Sequence, residues 1–270
     1  MRTRQTSSFV YMFDSLCEIV TEAVLCFRKE GLYLRETAFS MSVLVTAQLD
    51  ASRFEQYEVD GDPICVLISL PLLCGLLRTA NITDTIVVDI GTQSNSASTT
   101  MELCLQSGNG GVNRSYTIPV YRIPMGDSRI HERLTPGVEK VFDHVLHLNT
   151  KHLTHMCTNV FPFAQVVTIE VKGPKVSFTV KSSDSLVSRA RVTLGASTES
   201  IDRPSKRPHI HCIRANFHTH RLALFAKALA LHPVCNMYLA EDYPLVIEIL
   251  INQLGKLRLC LMHISDDAVP

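Results

Sequence analysis

The sequence lacks a net charge, a long apolar run and paired cysteine motifs, and each absence excludes a class of protein. Lys and Arg total 26 and so do Asp and Glu, so bulk charge gives no argument for binding nucleic acid. No apolar run reaches the roughly 18 residues that a membrane-spanning helix needs, and we expect no membrane partner. The first eight residues are polar and basic, without the apolar core of a secretory signal, and they predict a disordered tail.

The nine cysteines are an odd number, and no two of them form a CxxC motif. Most have apolar neighbours, as Cys65 has in Ile64 and Val66. This pattern is typical of buried, reduced thiols in a reducing compartment, and it argues against a disulfide framework.

Motifs that carry catalysis are also missing. The sequence contains no GxxxxGK[ST] phosphate loop, no GxSxG elbow and no HExxH, and its carboxylates are scattered singly. The best metal candidate is His209-x-His211-Cys212, but strand alternation would put Cys212 on the opposite face from the two histidines. We therefore expect no enzyme activity, no cofactor and no metal, with a His-dependent metallohydrolase as the remaining alternative of that class.

Hydrophobic periodicity predicts the same series of elements twice. In the first half it predicts helices over Phe9–Ile19, capped by Ser8, and over Leu70–Thr79. The first-half strands are predicted at Ala23–Arg28, Leu32–Arg35, Ser42–Leu49, Ile64–Ile68, Thr85–Ile90, Met101–Gln106 and Tyr116–Ile123. In the second half it predicts helices over Thr150–Asn159 and Thr219–Leu231. The second-half strands are predicted at Val166–Lys172, Lys175–Lys181, Ser188–Leu194, His209–Ala215 and Cys235–Leu239, followed by a closing hairpin.

This repetition predicts an α+β fold of two tandem homologous domains, each with two helices packed on antiparallel sheet. Two prolines, two glycines and five charged residues mark Pro124–Glu139 as a surface connection. We place the N-terminal domain at 1–123, the interdomain linker at 124–141 and the C-terminal domain at 142–270.

The closing hairpin carries a resemblance to a known family. Within Tyr243–Ile264, the order Asp-x-Pro-Leu-Val-x-Glu, a short turn and Gly-x-Leu-x-x-x-Leu resembles the last hairpin of eukaryotic sliding clamps of the proliferating-cell-nuclear-antigen type. Glu22–Leu34, Val66–Ile90 and Asn216–Leu261 extend the likeness over most of the chain. The resemblance implies a nuclear DNA polymerase processivity factor: a ring, usually a homotrimer, that encircles duplex DNA, is placed there by a clamp loader, and tethers polymerase and other clients by short peptides.

The resemblance also implies which residues line the hole and contact phosphates: Arg78, Lys151, His155, Arg221 and Lys227. Each has an alternative interpretation as part of the solvated face of an amphipathic helix. The first helix carries no basic residue, and His155 and His220 stand where the family has arginines. The predicted positive lining is therefore thin.

Client peptides in the family occupy a groove, and the matching residues here are Met41, Leu44, Ile123, Pro124, Met125, Pro244, Leu261 and Met262. A short helical client would insert apolar and aromatic side chains there. Leu44 and Leu261 have the alternative interpretation of strand core residues.

Subunits of the family join through edge strands, and the matching residues are Tyr116, Ile118 and Val120 with Arg191, Thr193 and Leu194. The alternative is two ordinary edges blunted by Pro119 and Gly195. The divergent first helix, neutral net charge and missing N-terminal strand also leave open a specialised clamp relative, either a checkpoint-type heterotrimer subunit or a viral monomeric or dimeric processivity factor.

Overall fold

The computed structural model describes residues 1–92, 99–108, 110–124, 127, 142, 145–181, 189–195, 197–199, 212–240 and 243–264. The α-helices in these ranges are α1 (Thr6–Leu16), α2 (Leu70–Leu77), α3 (Thr150–Asn159) and α4 (Thr219–Ala223). The strands of the first half are β1 (Arg2–Thr3), β2 (Glu22–Arg28), β3 (Gly31–Ala38), β4 (Val43–Asp50), β5 (Ile64–Ser69), β6 (Thr85–Thr92), β7 (Thr99–Gln106) and β8 (Arg114–Arg122). Those of the second half are β9 (Val145–Asn149), β10 (Val166–Lys172), β11 (Lys175–Lys181), β12 (Arg189–Gly195), β13 (Ser197–Glu199), β14 (Ile213–His218), β15 (Val234–Tyr238), β16 (Leu245–Ile251) and β17 (Gly255–Leu261).

The chain divides into two compact units. The first consists of Met1–Ala38, Val45–Gly137 and Leu250–Leu257, and the second of Phe39–Leu44, Val138–Ile249 and Arg258–Pro270. Each unit is α+β, as the sequence predicts, and none of the helices in the described ranges is long and apolar enough to cross a membrane.

In the first unit the strand order is β1-β6-β7-β8-β5-β2-β3-β4. Residues of β4 alternate between buried and half-buried because successive side chains of a strand point to opposite faces. The core lies where α1 and α2 pack, and there Phe9 and Phe13 meet edge to face with ring centroids 4.9 Å apart. A cluster of this kind stabilises the unit through burial of large apolar area.

The second unit holds a four-stranded sheet of order β12-β11-β10-β14 and a second set of strands of order β16-β15-β9-β13. Phe161, just after α3, lies 6.4 Å from Phe178 of β11, centroid to centroid, so the helical layer covers the Phe178 side of the four-stranded sheet. Asn149 caps α3 by accepting a 2.9 Å hydrogen bond from the Lys151 backbone amide.

The N-terminal residues differ from the predicted tail. Arg2 and Thr3 form β1, which pairs antiparallel with Val87 and Ile86 of β6. The Arg2 and Arg4 guanidinium groups also lie 3.5 Å and 3.1 Å from the Glu55 carboxylate. The predicted absence of an N-terminal strand was therefore wrong, because a two-residue strand is too short to leave an alternating pattern.

Two helix predictions also need correction. The first helix begins at Thr6, and its N-cap residue is Gln5, whose side chain makes no capping hydrogen bond. Ser8 therefore lies inside the helix and does not cap it. Its hydroxyl accepts a hydrogen bond from the Asn252 side chain. The helix predicted over Thr219–Leu231 is α4 followed by 3₁₀ turns at Leu224–Ala226 and Ala228–Leu231. Apolar spacing alone does not distinguish a continuous helix from one broken into tighter turns.

Two strands besides β1 were missing from the prediction, and one was misplaced. The sequence Val-Leu-His-Leu-Asn forms β9, in which Leu146 and Leu148 are buried, and the period-2 signal for it was present. Residues 197–199, where no strand was predicted, form β13. The strand predicted at His209–Ala215 is β14, starting at Ile213; His209 and His211 lie outside the described residues.

Candidate nucleic-acid and partner interfaces

Helix α3 carries two of the predicted DNA contacts. Lys151 and His155 are both exposed and stand four residues apart, so they share one face of the helix. Leu153, Met156 and Cys157 occupy the buried face. The helix therefore projects a lysine and an imidazole into solvent, a geometry that allows phosphate contact.

Arg78 is exposed, but its charge is already compensated. It lies at the end of α2, and its Nε donates a 2.8 Å hydrogen bond to Oδ1 of Asp14 on α1. Its Nη2 donates to the same oxygen, and Asp14 holds the pKa of the Arg78 guanidinium above its usual value. The structure thus pairs this predicted contact with an acid that the sequence analysis did not consider.

Arg221 and Lys227 are both half-buried, whereas Lys151 is exposed. The Arg221 guanidinium carbon lies 6.0 Å from the centroid of the Phe39 ring, a cation–π arrangement within the second unit. Lys227 sits between the two 3₁₀ turns. His220 is exposed, and its ring centroid lies 5.4 Å from that of His218. The pKa of His218 is lowered by burial and by the neighbouring charges of Arg221 and His220.

Helix α1 presents a surface without basic residues. Its exposed aromatic residue is Tyr11, 54% accessible, and its one charged residue is Asp14. The helix predicted from the sequence is thus present, and within its observed bounds it carries no basic residue and one acidic residue.

A small apolar surface in the second unit consists of Phe39, Met41 and Met262, which we call the apolar turn surface. These side chains are 42%, 69% and 44% exposed. The Met262 amide donates a 2.8 Å hydrogen bond to the Ser42 carbonyl, which holds the two segments together. Phe39 was missed by sequence reasoning, although an aromatic residue between two strands was an available signal.

The backbone of this surface is strained. Phe39, Ser40 and Met41 have φ values of 52°, 54° and 66°, in the left-handed region that side-chain-bearing residues rarely adopt. Three consecutive residues of this kind cost free energy, and such strain concentrates at binding sites. The turn therefore projects its side chains outward at an energetic cost that packing must offset.

The other predicted groove residues have different environments. Leu261 is fully buried, while Leu44 and Pro244 are half-buried. Ile123, in the first unit, is 4% exposed and packs with Val24, Cys26 and Cys65. Pro124 is exposed, and Met125 lies outside the described residues. Leu261 and Ile123 are core residues in this structure.

Both predicted subunit edges lie on strands with an open side. β8 pairs with β7 from Arg114 to Val120 and with β5 only at Tyr121 and Arg122. β12 is the last strand of its sheet and pairs with β11. No further strand pairs with either edge in the ranges that the structure describes, so both present unpaired backbone groups.

The side chains on these edges differ in exposure. Ile118 is 2% exposed and belongs to the core, whereas Tyr116 and Val120 are half-buried and Leu194 likewise. The Tyr116 hydroxyl lies 3.1 Å from the Thr79 hydroxyl. Thr193 and Arg191 are exposed; the Thr193 hydroxyl lies 3.0 Å from that of Ser177.

The histidine pairs do not assemble into a metal site in the described ranges, where no three His, Cys, Asp or Glu side chains converge. His147 instead lies beside Asn236, with its Nδ1 2.7 Å from the amide oxygen. Cys212 is exposed, and its thiol faces the Glu170 carboxylate at 3.6 Å.

Comparison with known proteins identifies the family. Residues 1–125 match the model of the proliferating cell nuclear antigen N-terminal domain, and residues 137–264 match that of its C-terminal domain. The chain is 23% identical over 263 residues to the probable DNA polymerase sliding clamp 1 of Paramecium bursaria Chlorella virus 1, an alignment covering 96% of this chain and 94% of that protein. It is 23% identical over 258 residues to the proliferating cell nuclear antigen of Dictyostelium discoideum, covering 94% of each. Two successive domain models that together span nearly all of the chain show that it belongs to the proliferating cell nuclear antigen family.

Proposed function

We propose that this protein is a DNA polymerase processivity factor, a sliding clamp that encircles duplex DNA. The observation that carries this proposal is the tandem match of both clamp domains over one chain. Each unit also combines helices with antiparallel sheet, the elements from which a ring with a helix-lined hole is built. We keep domain boundaries of 1–123 and 142–270, joined by a linker at 124–141, as part of the proposal.

The function is topological and requires no bond to be broken. A clamp holds DNA by closing around it, and its phosphate contacts must be weak enough to permit sliding. Exposed Lys151 and His155 on α3 suit that role, because a few cations facing the backbone attract any sequence equally. Arg221 and Lys227 are weaker candidates, since both are partly buried.

Ring closure would use the open edges of β8 and β12. An edge strand of one subunit that pairs with the other edge strand of the next gives a heterologous, head-to-tail contact, and such contacts close into rings. Pairing would also cover two otherwise exposed edges. We propose the homotrimer as the assembled state.

Client proteins would dock on the apolar turn surface together with the half-buried Leu44 and Pro244. Two flexible methionines and one aromatic ring form an adaptable wall for a short amphipathic helix. A polymerase peptide is the proposed occupant, with a clamp loader and other replication proteins as further partners and the nucleus as the site of action.

A topological retention assay tests the clamp role. Purified protein is loaded by the cognate loader onto nicked circular DNA, which is then passed through a sizing column before and after linearisation. A clamp elutes with the intact circle and is lost once the circle is cut, because a ring slides off free ends. Equal retention on circular and linear DNA would contradict the proposal.

A specialised clamp relative is the second candidate, and the Asp14–Arg78 pair beside an α1 without basic residues favours it. In a homotrimer this chain supplies every cation that lines the hole. A monomeric or dimeric processivity factor, or one subunit of a heterotrimer, can function with fewer basic residues on these helices. Light scattering on the purified protein separates the candidates: three times the 30.1 kDa chain mass supports the homotrimer, whereas one or two chain masses supports the relative.

A further inference from the structure

The outward face of the four-stranded sheet in the second unit is strongly basic. The pairing registers place Lys172 opposite Lys175, and Lys181 opposite Arg189, on that face. Arg214 stands beside Glu170 on the neighbouring strand pair. All five of these basic side chains are exposed.

One acid lies on this face, and it already has a partner. Glu170 is 3.6 Å from the Arg191 guanidinium. The remaining cations, Lys172, Lys175, Lys181, Arg189 and Arg214, form no ion pair with a carboxylate in the ranges that the structure describes. We call these five residues the basic sheet face.

The opposite side of the same sheet is the core. Val176, Phe178 and Val180 alternate with the outward residues of β11, and Phe178 packs against Phe161 behind α3. The basic sheet face is therefore separated by the thickness of the sheet from the helices that carry Lys151 and His155.

The sheet of the first unit shows that an outward face need not be charged. There Val24 and Cys26 of β2 and Cys65 of β5 lie in an apolar cluster that Ile123 covers. The Ile123 amide donates a 2.9 Å hydrogen bond to the Cys65 carbonyl, which holds this cover in place.

The dimensions of the basic sheet face suit a nucleic-acid backbone. Lys175 and Lys181 stand at opposite ends of one strand, and six residues at about 3.3 Å each separate them by about 20 Å. A duplex carries one phosphate per about 1.7 Å of axis, so about 20 Å of it presents on the order of a dozen phosphates. Clusters of two and three cations at the ends can each contact one stretch of backbone.

The geometry points to the basic sheet face as a second binding surface for duplex nucleic acid. Its cations would contact the phosphates of the duplex, and it is distinct from the helices proposed to line the ring. It goes beyond the clamp role and does not depend on ring closure. The outward residues between the cations are small and polar, Thr168, Ser177 and Thr179, and the described residues of the four strands place no Phe, Tyr or Trp ring among them on which unpaired bases could stack. This favours a duplex over a single strand.

Fluorescence anisotropy with a short linear duplex tests the assignment. The variant Lys175→Gln with Lys181→Gln removes one cation from each end of the face while keeping both side chains long and polar. We expect affinity at about 50 mM salt to fall by about tenfold or more, and the slope of log K against log salt to shrink by about two. The matched control is Lys29→Gln with Arg53→Gln, two exposed cations in the first unit, which should bind as the wild type does.

The outcomes separate this surface from the helices and from another kind of partner. Wild-type affinity and slope in the Lys175→Gln, Lys181→Gln protein would overturn the proposal, whatever the retention assay shows. A larger loss from Lys151→Gln alone would place the measured binding on α3 and would also overturn it. If a polyglutamate peptide displaces the duplex at equal charge concentration and binds more tightly, the face takes an acidic protein segment and the nucleic-acid assignment is wrong.

Discussion

Arg78 on α2 donates hydrogen bonds from two of its nitrogens to a single carboxylate oxygen of Asp14 on α1. The pair joins the two helices of the first unit and removes one net positive charge from their surface. Because the Asp14 carboxylate compensates the charge of Arg78, this basic residue need not attract DNA even if its helix faces the duplex.

The variant Asp14→Asn should therefore raise duplex affinity. The substitution leaves a neutral amide beside Arg78, so the guanidinium regains a free charge and one further phosphate contact becomes available. We expect the salt slope to increase by about one. Titration of a fluorescent duplex measures it, with Asp62→Asn, an exposed acid in a loop of the same unit, as the control. An unchanged slope would show that Arg78 faces away from DNA.

Tyr116→Ala should weaken self-association. The Tyr116 ring lies half-buried on the open length of β8, where a neighbouring subunit would pack, so its loss removes apolar contact area from the proposed interface. Light scattering over a concentration series should give a lower average mass than wild type. Tyr121→Ala is the matched control, because Tyr121 is 62% exposed on the part of β8 that already pairs with β5. Equal masses for all three proteins would argue against this edge.

Met41→Glu or Met262→Glu should abolish client binding without changing the fold. Both side chains are exposed, so a carboxylate there is solvated in the free protein but must be desolvated beneath an apolar client. The readout is the affinity of a fluorescent polymerase peptide, checked beside the melting temperature. Leu250→Glu, at 47% exposure on another strand, serves as the control. Full peptide affinity in both methionine variants would mean that the client surface lies elsewhere.

Gly255→Ala should destabilise the first unit, whereas Gly75→Ala should not. A Cβ at Gly255 would lie 2.0 Å from the Gln48 carbonyl oxygen, so backbone must move, and we expect a loss of about 3 kcal/mol or more. A Cβ at Gly75 on α2 meets nothing within 4 Å, so alanine there should stabilise by about 0.5–1 kcal/mol. Urea unfolding measures both. Similar stabilities for the two variants would contradict the close approach at Gly255.

Thiol reactivity should follow burial. Burial raises the pKa of Cys157 and of Cys235 to about 12, because the thiolate is the form that loses solvation. At pH 8 both thiols therefore stay protonated and inert in the native state, while exposed Cys212 reacts with a disulfide reagent. Cys212→Ser should remove the fastest labelling phase, and denaturant should expose all nine thiols of the wild type. Fast labelling of Cys157 in the native protein would contradict the buried assignment.

Most elements of the fold were predictable because their patterns are local. The strands Val166–Lys172 and Lys175–Lys181 and the helix Thr150–Asn159 have the predicted bounds, since alternation and 3.6-residue spacing are clear there. The two-residue β1 and the broken helix after Thr219 were not predictable in this way. The first depends on a partner strand more than eighty residues away, at Val87, and the second on packing that tightens the turns.

Site residues were predictable only as candidates. The family resemblance pointed to Arg78 and Ile123, yet the structure pairs the first with Asp14 and buries the second in an apolar cluster. Neither environment has a sequence signature, because both partners are distant in the chain. Phe39 lies between two strands in the sequence, but the structure was needed to show that its side chain is 42% exposed on the apolar turn surface.

The sequence by itself determined the repeated α+β domains and the family, because hydrophobic periodicity and the spacing of turn glycines are local features of the chain. The tertiary structure alone decided which charges remain available. It buries Ile118 and Leu261, pairs Arg78 with Asp14, and gathers Lys172, Lys175, Lys181, Arg189 and Arg214 on one face. The physical reason is that electrostatic and packing partners are set by distance in space, and strand pairing brings together residues that the sequence separates.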